Sequence, residues 1–299
     1  MNLIFNEGTG RQLADLIHHE AAESDGIRAA ALLGKARRAC AAITTSDILD
    51  QKFRNTGFTG KEGSTAADVL IRTSRGEMPA YFAAPASAAP APGVMVLHDV
   101  GGMSPDIRGQ ADWLAAEGFL ALAPELYHHG GRISCIRTIM RDCTARRGPT
   151  FDDIDAGRAW LSVQANCSGA IGVIGFCMGG GIALLLCPGR GFSASSINYG
   201  GRLPDDIDAL LAMACPIVAS YGAKDRWNKG VAAQLERALE RAHVAHDVRE
   251  YPLAAHSFMN NHETFWFKAL RFAGIAYDEQ ATLDARRRIA AFFHAHLEA

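Results

Sequence analysis

The sequence predicts an α/β fold with a mostly parallel central sheet and helices on both of its faces. Short apolar segments at residues 94–98, 170–175 and 216–221 alternate with longer stretches of helical periodicity. Strands that are apolar along their whole length are typical of a parallel sheet buried between two helix layers. The 299 residues suit one large domain of this class or two small ones.

Two segments are predicted ahead of the sheet. Residues 9–44 carry apolar side chains at helical spacing, with a break at Asp25-Gly26, and residues 51–64 are polar and rich in glycine. We therefore expect an N-terminal helical extension with its linker over residues 1–60 and an α/β domain over 61–299. The extension is most simply additional packing. A contact between copies in a homo-oligomer and a lid over the site are the alternatives.

The elements of the α/β domain are predicted in order along the chain. A hairpin is expected over 68–72 and 78–83 around Ser74-Arg75-Gly76, followed by an Ala/Pro loop at 85–92. Further strands are expected at 94–98, 119–123, 170–175, 194–199, 216–221 and 247–251. Helices are expected at 105–117, 151–164, 179–187, 229–242 and 278–297, and residues 132–146 form a basic segment with a poorly defined helical pattern.

Composition and charge exclude several classes of protein. A formal net charge of −2 gives no reason to expect nucleic acid or an anionic membrane as a partner. No apolar run is long enough to span a bilayer, and the first residues lack the layout of a signal peptide. The seven cysteines have no regular spacing, which predicts reduced thiols in a cytoplasmic protein. His128, His129 and Cys135 fit no zinc pattern, so no metal is expected.

The most informative segment runs from Gly172 to Gly181 and has a cysteine at its centre. A buried-strand pattern enters a sharp turn, with glycines two residues before and two residues after Cys177. This pattern is the G-x-S-x-G nucleophile elbow of α/β-hydrolases with sulfur in place of the hydroxyl oxygen. Glycine is needed on both sides because a Cβ there would collide with the adjoining strand and helix. The following helix directs its N-terminus at the thiol and favours negative charge there.

An acid and a histidine follow the cysteine in the order that such enzymes use. Asp225 comes after the strand at 216–221 and a glycine turn, and His256 comes after the strand at 247–251. All three groups therefore fall at carboxyl ends of strands, where ligands bind in open parallel sheets. We expect His256 to take the thiol proton and later return it to the leaving alcohol, and Asp225 to orient the imidazole.

Two backbone donors are predicted for the oxyanion that forms during acyl transfer. The Met178 N–H lies directly after the nucleophile, and the Val100 N–H lies in the loop that follows an earlier strand. His98, which begins this loop, is expected to pack beneath it rather than to act as a base.

Together these residues resemble the dienelactone hydrolase family (carboxymethylenebutenolidases) of the α/β-hydrolase superfamily. The resemblance covers roughly residues 65 to 298. The matching motifs are His98-Asp99-Val100-Gly101-Gly102, Ala123-Pro124-Glu125-Leu126-Tyr127, Gly175-Phe176-Cys177-Met178-Gly179-Gly180, Tyr221-Gly222-Ala223-Lys224-Asp225 and Ala255-His256-Ser257-Phe258-Met259-Asn260.

The resemblance implies hydrolysis of a small-molecule ester or enol-lactone through a covalent thioester, without a cofactor. In the best-known members a glutamate pairs with the resting thiol, and this position is Asp99 here. Those members also bind a substrate carboxylate with arginines, one of them four residues after the histidine, where this chain has the uncharged Asn260. Arg137 or Arg141 is the candidate for a second family arginine. Asp99, Asn260 and Tyr127 are therefore the candidates for contacts that modulate the site.

Two other functions stay open on the sequence alone. A binding or scaffold protein that kept the fold without its chemistry would explain the changes at Asp99 and Asn260. A redox-sensing thiol is the third reading, since a cysteine at a helix end is also oxidisable. The aromatic residues Trp227 and 265–267 predict either an acyl pocket or core packing, and His262 is the rival of His256.

Overall fold

The computed structural model describes residues 64–261 and 275–298, which form one eight-stranded mixed sheet with seven helices. The strands are β1 (Ser64–Thr73), β2 (Gly76–Pro85), β3 (Ala91–Leu97), β4 (Leu120–Pro124), β5 (Cys167–Phe176), β6 (Ala194–Asn198), β7 (Ile217–Gly222) and β8 (His246–Tyr251). The helices are α1 (Pro105–Ala116), α2 (Arg132–Ala145), α3 (Pro149–Ser162), α4 (Met178–Leu186), α5 (Ile207–Leu211), α6 (Val231–Arg241) and α7 (Glu279–Leu297).

The sheet is parallel except at one edge. Its strand order is β1-β2-β4-β3-β5-β6-β7-β8, with β1 antiparallel to β2 and β2 antiparallel to β4. All remaining neighbours are parallel. The hairpin at the antiparallel edge pairs Thr73 with Gly76, whose φ of +113° suits glycine. The predicted hairpin and the predicted mostly parallel sheet are both confirmed.

Helices cover both faces of the sheet, as the sequence predicts. Val94 and Val96 of β3 belong to a buried cluster that also contains Ile107 of α1 and Phe293 of α7. The Met95 side chain points to the opposite face and packs against Gly157 of α3. A Cβ added to Gly157 would lie 2.9 Å from Met95 Cε. Successive side chains of β3 therefore point to opposite faces of the sheet, and both faces pack against helices.

Two elements differ from the sequence expectation. The basic segment over 132–146 is a regular helix that ends in a left-handed residue, Arg146, with a φ of +53°. The short helix α5 follows β6 and is not among the elements that the sequence predicts. Five residues with two buried side chains, Leu210 and Leu211, are too few to give a helical period.

Some predicted features lie outside the described residues. These are the N-terminal extension over 1–60, the rival histidine His262 and the aromatic segment 265–267. Within residues 64–261 and 275–298, no helix is both long enough and apolar enough to cross a membrane.

Candidate active site

Cys177 occupies a strained backbone turn between β5 and α4. Its φ of +52° and ψ of −111° are rarely adopted by residues other than glycine. A Cβ on Gly175 would overlap the carbonyl group of Gly179, and a Cβ on Gly179 would overlap the carbonyl oxygen of Leu97. Backbone atoms cannot rotate away, so both flanking positions require glycine, in agreement with the predicted elbow.

The structure brings the cysteine, the histidine and the acid into one chain of contacts. His256 Nε2 lies 3.1 Å from Cys177 Sγ, and His256 Nδ1 lies 2.7 Å from Asp225 Oδ2. The ionised carboxylate only accepts hydrogen bonds, so Nδ1 carries a hydrogen and Nε2 faces the sulfur. Asp225 is 1% exposed and His256 is 8% exposed, which shields both contacts from water. An imidazole held in this way can exchange a proton with the thiol.

The His256 imidazole holds its proton unusually strongly. Burial by itself lowers the pKa of His256, but the negative charge of Cys177 and the hydrogen bond to Asp225 outweigh it and raise this pKa to about 10. The contribution of the neighbouring sulfur to this rise comes from its negative charge and from its hydrogen bond with the imidazole. The Asp225 carboxylate and the sulfur thus both favour the protonated imidazole.

Two aromatic rings and one amide complete the surroundings of His256. Trp227 meets the imidazole with ring centroids 4.9 Å apart, and Tyr199 meets it at 5.4 Å, both in edge-to-face geometry. Trp227 N donates to Asp225 Oδ1 at 2.9 Å, and Asn228 Nδ2 donates to Asp225 Oδ2 at 2.6 Å. The sequence did not identify Tyr199 or Asn228. Tyr199 directly follows β6, and this position at the carboxyl end of a strand could have identified it as a candidate site residue.

The loop after β3 is held from within by Asp99 and from beneath by His98. Asp99 Oδ1 accepts from Gly101 N at 2.6 Å, so its carboxylate fixes the turn. His98 is fully buried, with Nδ1 donating to Asp99 O at 2.7 Å and Nε2 accepting from Leu126 N at 3.2 Å. His98 therefore packs under the loop, as expected, with both ring nitrogens occupied.

One predicted oxyanion donor, Val100, lies in the turn of this loop, and the other, Met178, is the first residue of α4. The Met178 N–H is the first of the helix and has no partner within it, because the first N–H groups of an α-helix lack one. Val100 is 45% exposed, and its carbonyl accepts from Tyr127 Oη at 3.1 Å. Their role toward a bound acyl oxygen stays a prediction.

Tyr127 joins the loop after β3 to the helix that follows the cysteine. Besides its bond to Val100, its hydroxyl lies 3.8 Å from Met178 Sδ. Burial raises the pKa of Tyr127, so the phenol stays protonated at neutral pH and acts as a donor. The Arg132 guanidinium lies 5.8 Å from the centre of the Tyr127 ring and bonds the carbonyl of Gly101. Arg132 is a third residue that the sequence did not identify.

Asn260 lies one layer behind His256. Its Oδ1 accepts from the Tyr199 hydroxyl and its Nδ2 donates to Asp106 Oδ2 at 2.6 Å. The amide is 2% exposed and anchors the loop that carries His256. Of the two other candidate arginines, Arg141 pairs with Asp142 of its own helix at 2.9 Å, and Arg137 lies exposed on the same helix.

No group of three or more His, Cys, Asp or Glu side chains within the described part of the chain could hold a metal ion. His128 instead contacts Asp153 at 2.8 Å, and the Cys135 thiol contacts the His129 carbonyl at 3.3 Å.

The family model and the curated relatives indicate the same family. Residues 78–297 match the model of the Dienelactone hydrolase family. A protein of Methylorubrum extorquens, provisionally named a carboxymethylenebutenolidase, is 30% identical over 219 residues, which cover 67% of this chain and 74% of that protein. A carboxymethylenebutenolidase of Pseudomonas sp. strain P51 is 28% identical over 179 residues, or 56% of this chain and 74% of that protein.

A solved structure shows the same similarity. The crystal structure of a provisionally named dienelactone hydrolase from Klebsiella pneumoniae has a TM-score of 0.63 and 27% sequence identity. The match covers 77% of this chain and 98% of that one.

Proposed function

The chain belongs to the dienelactone hydrolase family, and we propose that it hydrolyses a small carboxylic ester or lactone through a covalent thioester on Cys177. One observation carries the proposal: His256 is 3.1 Å from the sulfur and 2.7 Å from the Asp225 carboxylate. Family membership gives the ester or lactone class, and this contact chain supports the mechanism.

In the first half of the reaction His256 takes the Cys177 proton as the sulfur attacks the carbonyl carbon. A carbon–sulfur bond forms, and the carbonyl oxygen becomes an oxyanion. When the tetrahedral intermediate collapses, the carbon–oxygen bond to the alcohol breaks and the alkoxide takes the proton from His256 Nε2. In a lactone the alcohol stays attached to the acyl group. Asp225 stabilises the imidazolium until the proton leaves.

In the second half a water molecule replaces the alcohol. His256, now neutral, takes a proton from the water as its oxygen attacks the thioester carbon. The carbon–sulfur bond then breaks, and the carboxylic acid departs. The sulfur leaves as a thiolate and takes its proton back from the imidazolium, so no cofactor is needed.

The oxyanion of both tetrahedral intermediates is assigned to the N–H groups of Val100 and Met178. The proposal is supported by the first N–H of α4, which has no partner within the helix, and by the fixed turn of the loop after β3. Loss of one such donor costs about 2.7–4 kcal/mol of transition-state stabilisation in a comparable enzyme.

The test is turnover of short-chain aryl esters and small enol-lactones by purified wild type and Cys177→Ala. We expect the substitution to abolish turnover, and a brief reaction of wild type to trap an acyl group on Cys177 that mass spectrometry locates. Cys215→Ala is the matched control, because Cys215 is a partly buried cysteine outside the site. Equal rates for wild type and Cys177→Ala would overturn the proposal.

The same purified protein also tests the two alternative functions, a scaffold without chemistry and a redox sensor. A scaffold without chemistry would leave Cys177 no more reactive toward iodoacetamide than an unfolded-chain thiol. A redox sensor would form a thiol-reversible sulfenic acid or a disulfide at Cys177 in mild peroxide. A cytoplasmic location and association through residues 1–60 stay predictions from the sequence.

A further inference from the structure

Asn228 is a buried amide three residues after Asp225, in the loop between β7 and α6. It is 1% exposed, and its Nδ2 donates to Asp225 Oδ2 at 2.6 Å and to the Tyr199 carbonyl at 3.2 Å. A primary amide nitrogen has two hydrogens, so both are used. Asn228 therefore connects the loop after β7 to the loop after β6 directly behind His256.

The other end of the same amide is unpaired. Asn228 Oδ1 is buried and has no hydrogen-bond partner among residues 64–261 and 275–298. An unpaired buried acceptor costs about 1–3 kcal/mol. Turning the amide over would place an oxygen against the Asp225 carboxylate, which is worse, so the carboxylate dictates the orientation. The local structure thus tolerates an unpaired oxygen in order to keep an N–H on Asp225.

This N–H acts on the oxygen that also binds His256. Asp225 Oδ2 accepts from Asn228 Nδ2 and from His256 Nδ1, and these two nitrogens are 3.5 Å apart. Asp225 Oδ1 accepts from Trp227 N at 2.9 Å. With donors on both of its oxygens, the carboxylate cannot rotate without losing a hydrogen bond.

We propose that Asn228 is a positioning residue that fixes the Asp225 carboxylate in the orientation in which it binds the His256 imidazole. The proposal rests on the function proposed above and deepens it. Asn228 does not touch the sulfur or the acyl group; it acts through Asp225.

The position of Asn228 also has an electrostatic consequence. The charged groups that face His256 are Cys177 from the elbow and Asp225 from the loop after β7. Tyr199 presents its ring and directs its hydroxyl to Asn260. Each N–H that binds the carboxylate draws negative charge away from the imidazole. Removing the Asn228 amide should therefore strengthen the interaction of Asp225 with the imidazolium and raise the pKa of His256.

The experiment measures kcat/KM and the rate of Cys177 alkylation by iodoacetamide across pH in Asn228→Leu and Asn228→Asp. We expect Asn228→Leu to lower kcat/KM by roughly 10- to 100-fold, since small misplacements of catalytic groups have effects of this size. The alkaline limb of its pH profile moves to higher pH. Asn228→Asp keeps the shape of the side chain and adds a negative charge, so the alkaline limb of its pH profile should move to still higher pH. Lys229→Ala, at the exposed neighbouring residue, serves as the control with an unchanged profile.

A double-mutant cycle separates positioning from a general structural role. In an Asp225→Asn background, Asn228→Leu should change kcat/KM by less than about twofold, because residues that act through one another are not additive. Equal losses with and without Asp225, or unchanged pH limbs in both Asn228 variants, would overturn the proposal. If Asn228→Leu does not fold, the Asn228→Asp profile decides. Alkylation needs no turnover, so it also reports on Asn228 if ester hydrolysis itself is not found.

Discussion

Asn260 and Asp106 are 154 residues apart in the chain, and their side chains are hydrogen-bonded at 2.6 Å. Asp106 lies in the first turn of α1, and its second oxygen accepts from Asn261 N at 2.8 Å. One carboxylate at a helix N-terminus therefore holds the loop that carries His256. The family resemblance implies a substrate-binding arginine at this position, whereas the Asn260 amide here binds Asp106 and Tyr199.

The first prediction concerns this anchor. Asn260→Leu removes the partner of the buried Tyr199 hydroxyl and one partner of Asp106, so we expect the free energy of unfolding to fall by about 1–3 kcal/mol. Urea denaturation measures the loss. Asn261→Ala is the control, because Asn261 reaches Asp106 through its backbone N–H and its side chain is exposed. An unaltered midpoint in Asn260→Leu would contradict the anchoring role.

The second prediction concerns the glycine after the nucleophile. A Cβ at Gly179 would overlap backbone atoms of Leu97 and His98, which cannot move aside. Gly179→Ala should destabilise the fold by at least about 3 kcal/mol, the upper end for overpacking.

The matched control for Gly179 is another glycine in a helix. Gly109 lies within α1 with nothing within 4 Å of an added Cβ. Gly109→Ala should stabilise the protein by up to about 1 kcal/mol, because alanine is the better helix former. Thermal unfolding of both variants checks the pair, and similar melting temperatures for the two would refute the steric argument.

The third prediction concerns the proton on His256. In wild type the imidazole should titrate near pH 10, because the sulfur's charge and Asp225 together outweigh the effect of burial. Cys177→Ala removes that charge, so the pKa of His256 should fall. Nitrogen NMR of labelled imidazole measures both values. An equal pKa in wild type and variant would show that the sulfur does not stabilise the imidazolium.

A fourth prediction follows for stability. A histidine whose pKa rises on folding stabilises the native state fully below its unfolded pKa, and this contribution disappears as pH rises through the folded pKa. With an ordinary value of 6.5 and a folded value of about 10, the contribution of His256 should decline across that interval. Urea unfolding of wild type and His256→Gln at a series of pH values measures it. The difference between the two should shrink toward the alkaline end.

The fifth prediction concerns Tyr127. Tyr127→Phe removes the hydrogen bond to the Val100 carbonyl and frees the loop that bears a predicted oxyanion donor. We expect kcat to fall roughly fivefold, equivalent to about 1 kcal/mol for one hydrogen bond. Tyr81→Phe is the control, since the Tyr81 hydroxyl binds Asp112 in β2–α1 packing outside the site. The same kcat in Tyr127→Phe and wild type would remove Tyr127 from the mechanism.

The sequence could predict the parts of the site that depend on strand ends. Cys177, Asp225 and His256 each follow an apolar strand, and parallel strands bring their carboxyl ends to one edge. Asn228 and Arg132 could not be predicted in this way. Their contacts depend on how loops fold back over that edge, and neither residue type carries a spacing signal. Helix α5 could not be predicted because five residues are too few to show a helical repeat of apolar side chains.

All nine residues of α4 are buried, including the glycine-rich turn that begins at Met178. Hydrogen bonds in such a helix open only when most of the molecule unfolds. Cys177 caps this helix, so its sulfur is held at a fixed point of the fold. In the proposed reaction every substrate must therefore bring its carbonyl carbon to the same place, whatever the size of its acyl and alcohol parts.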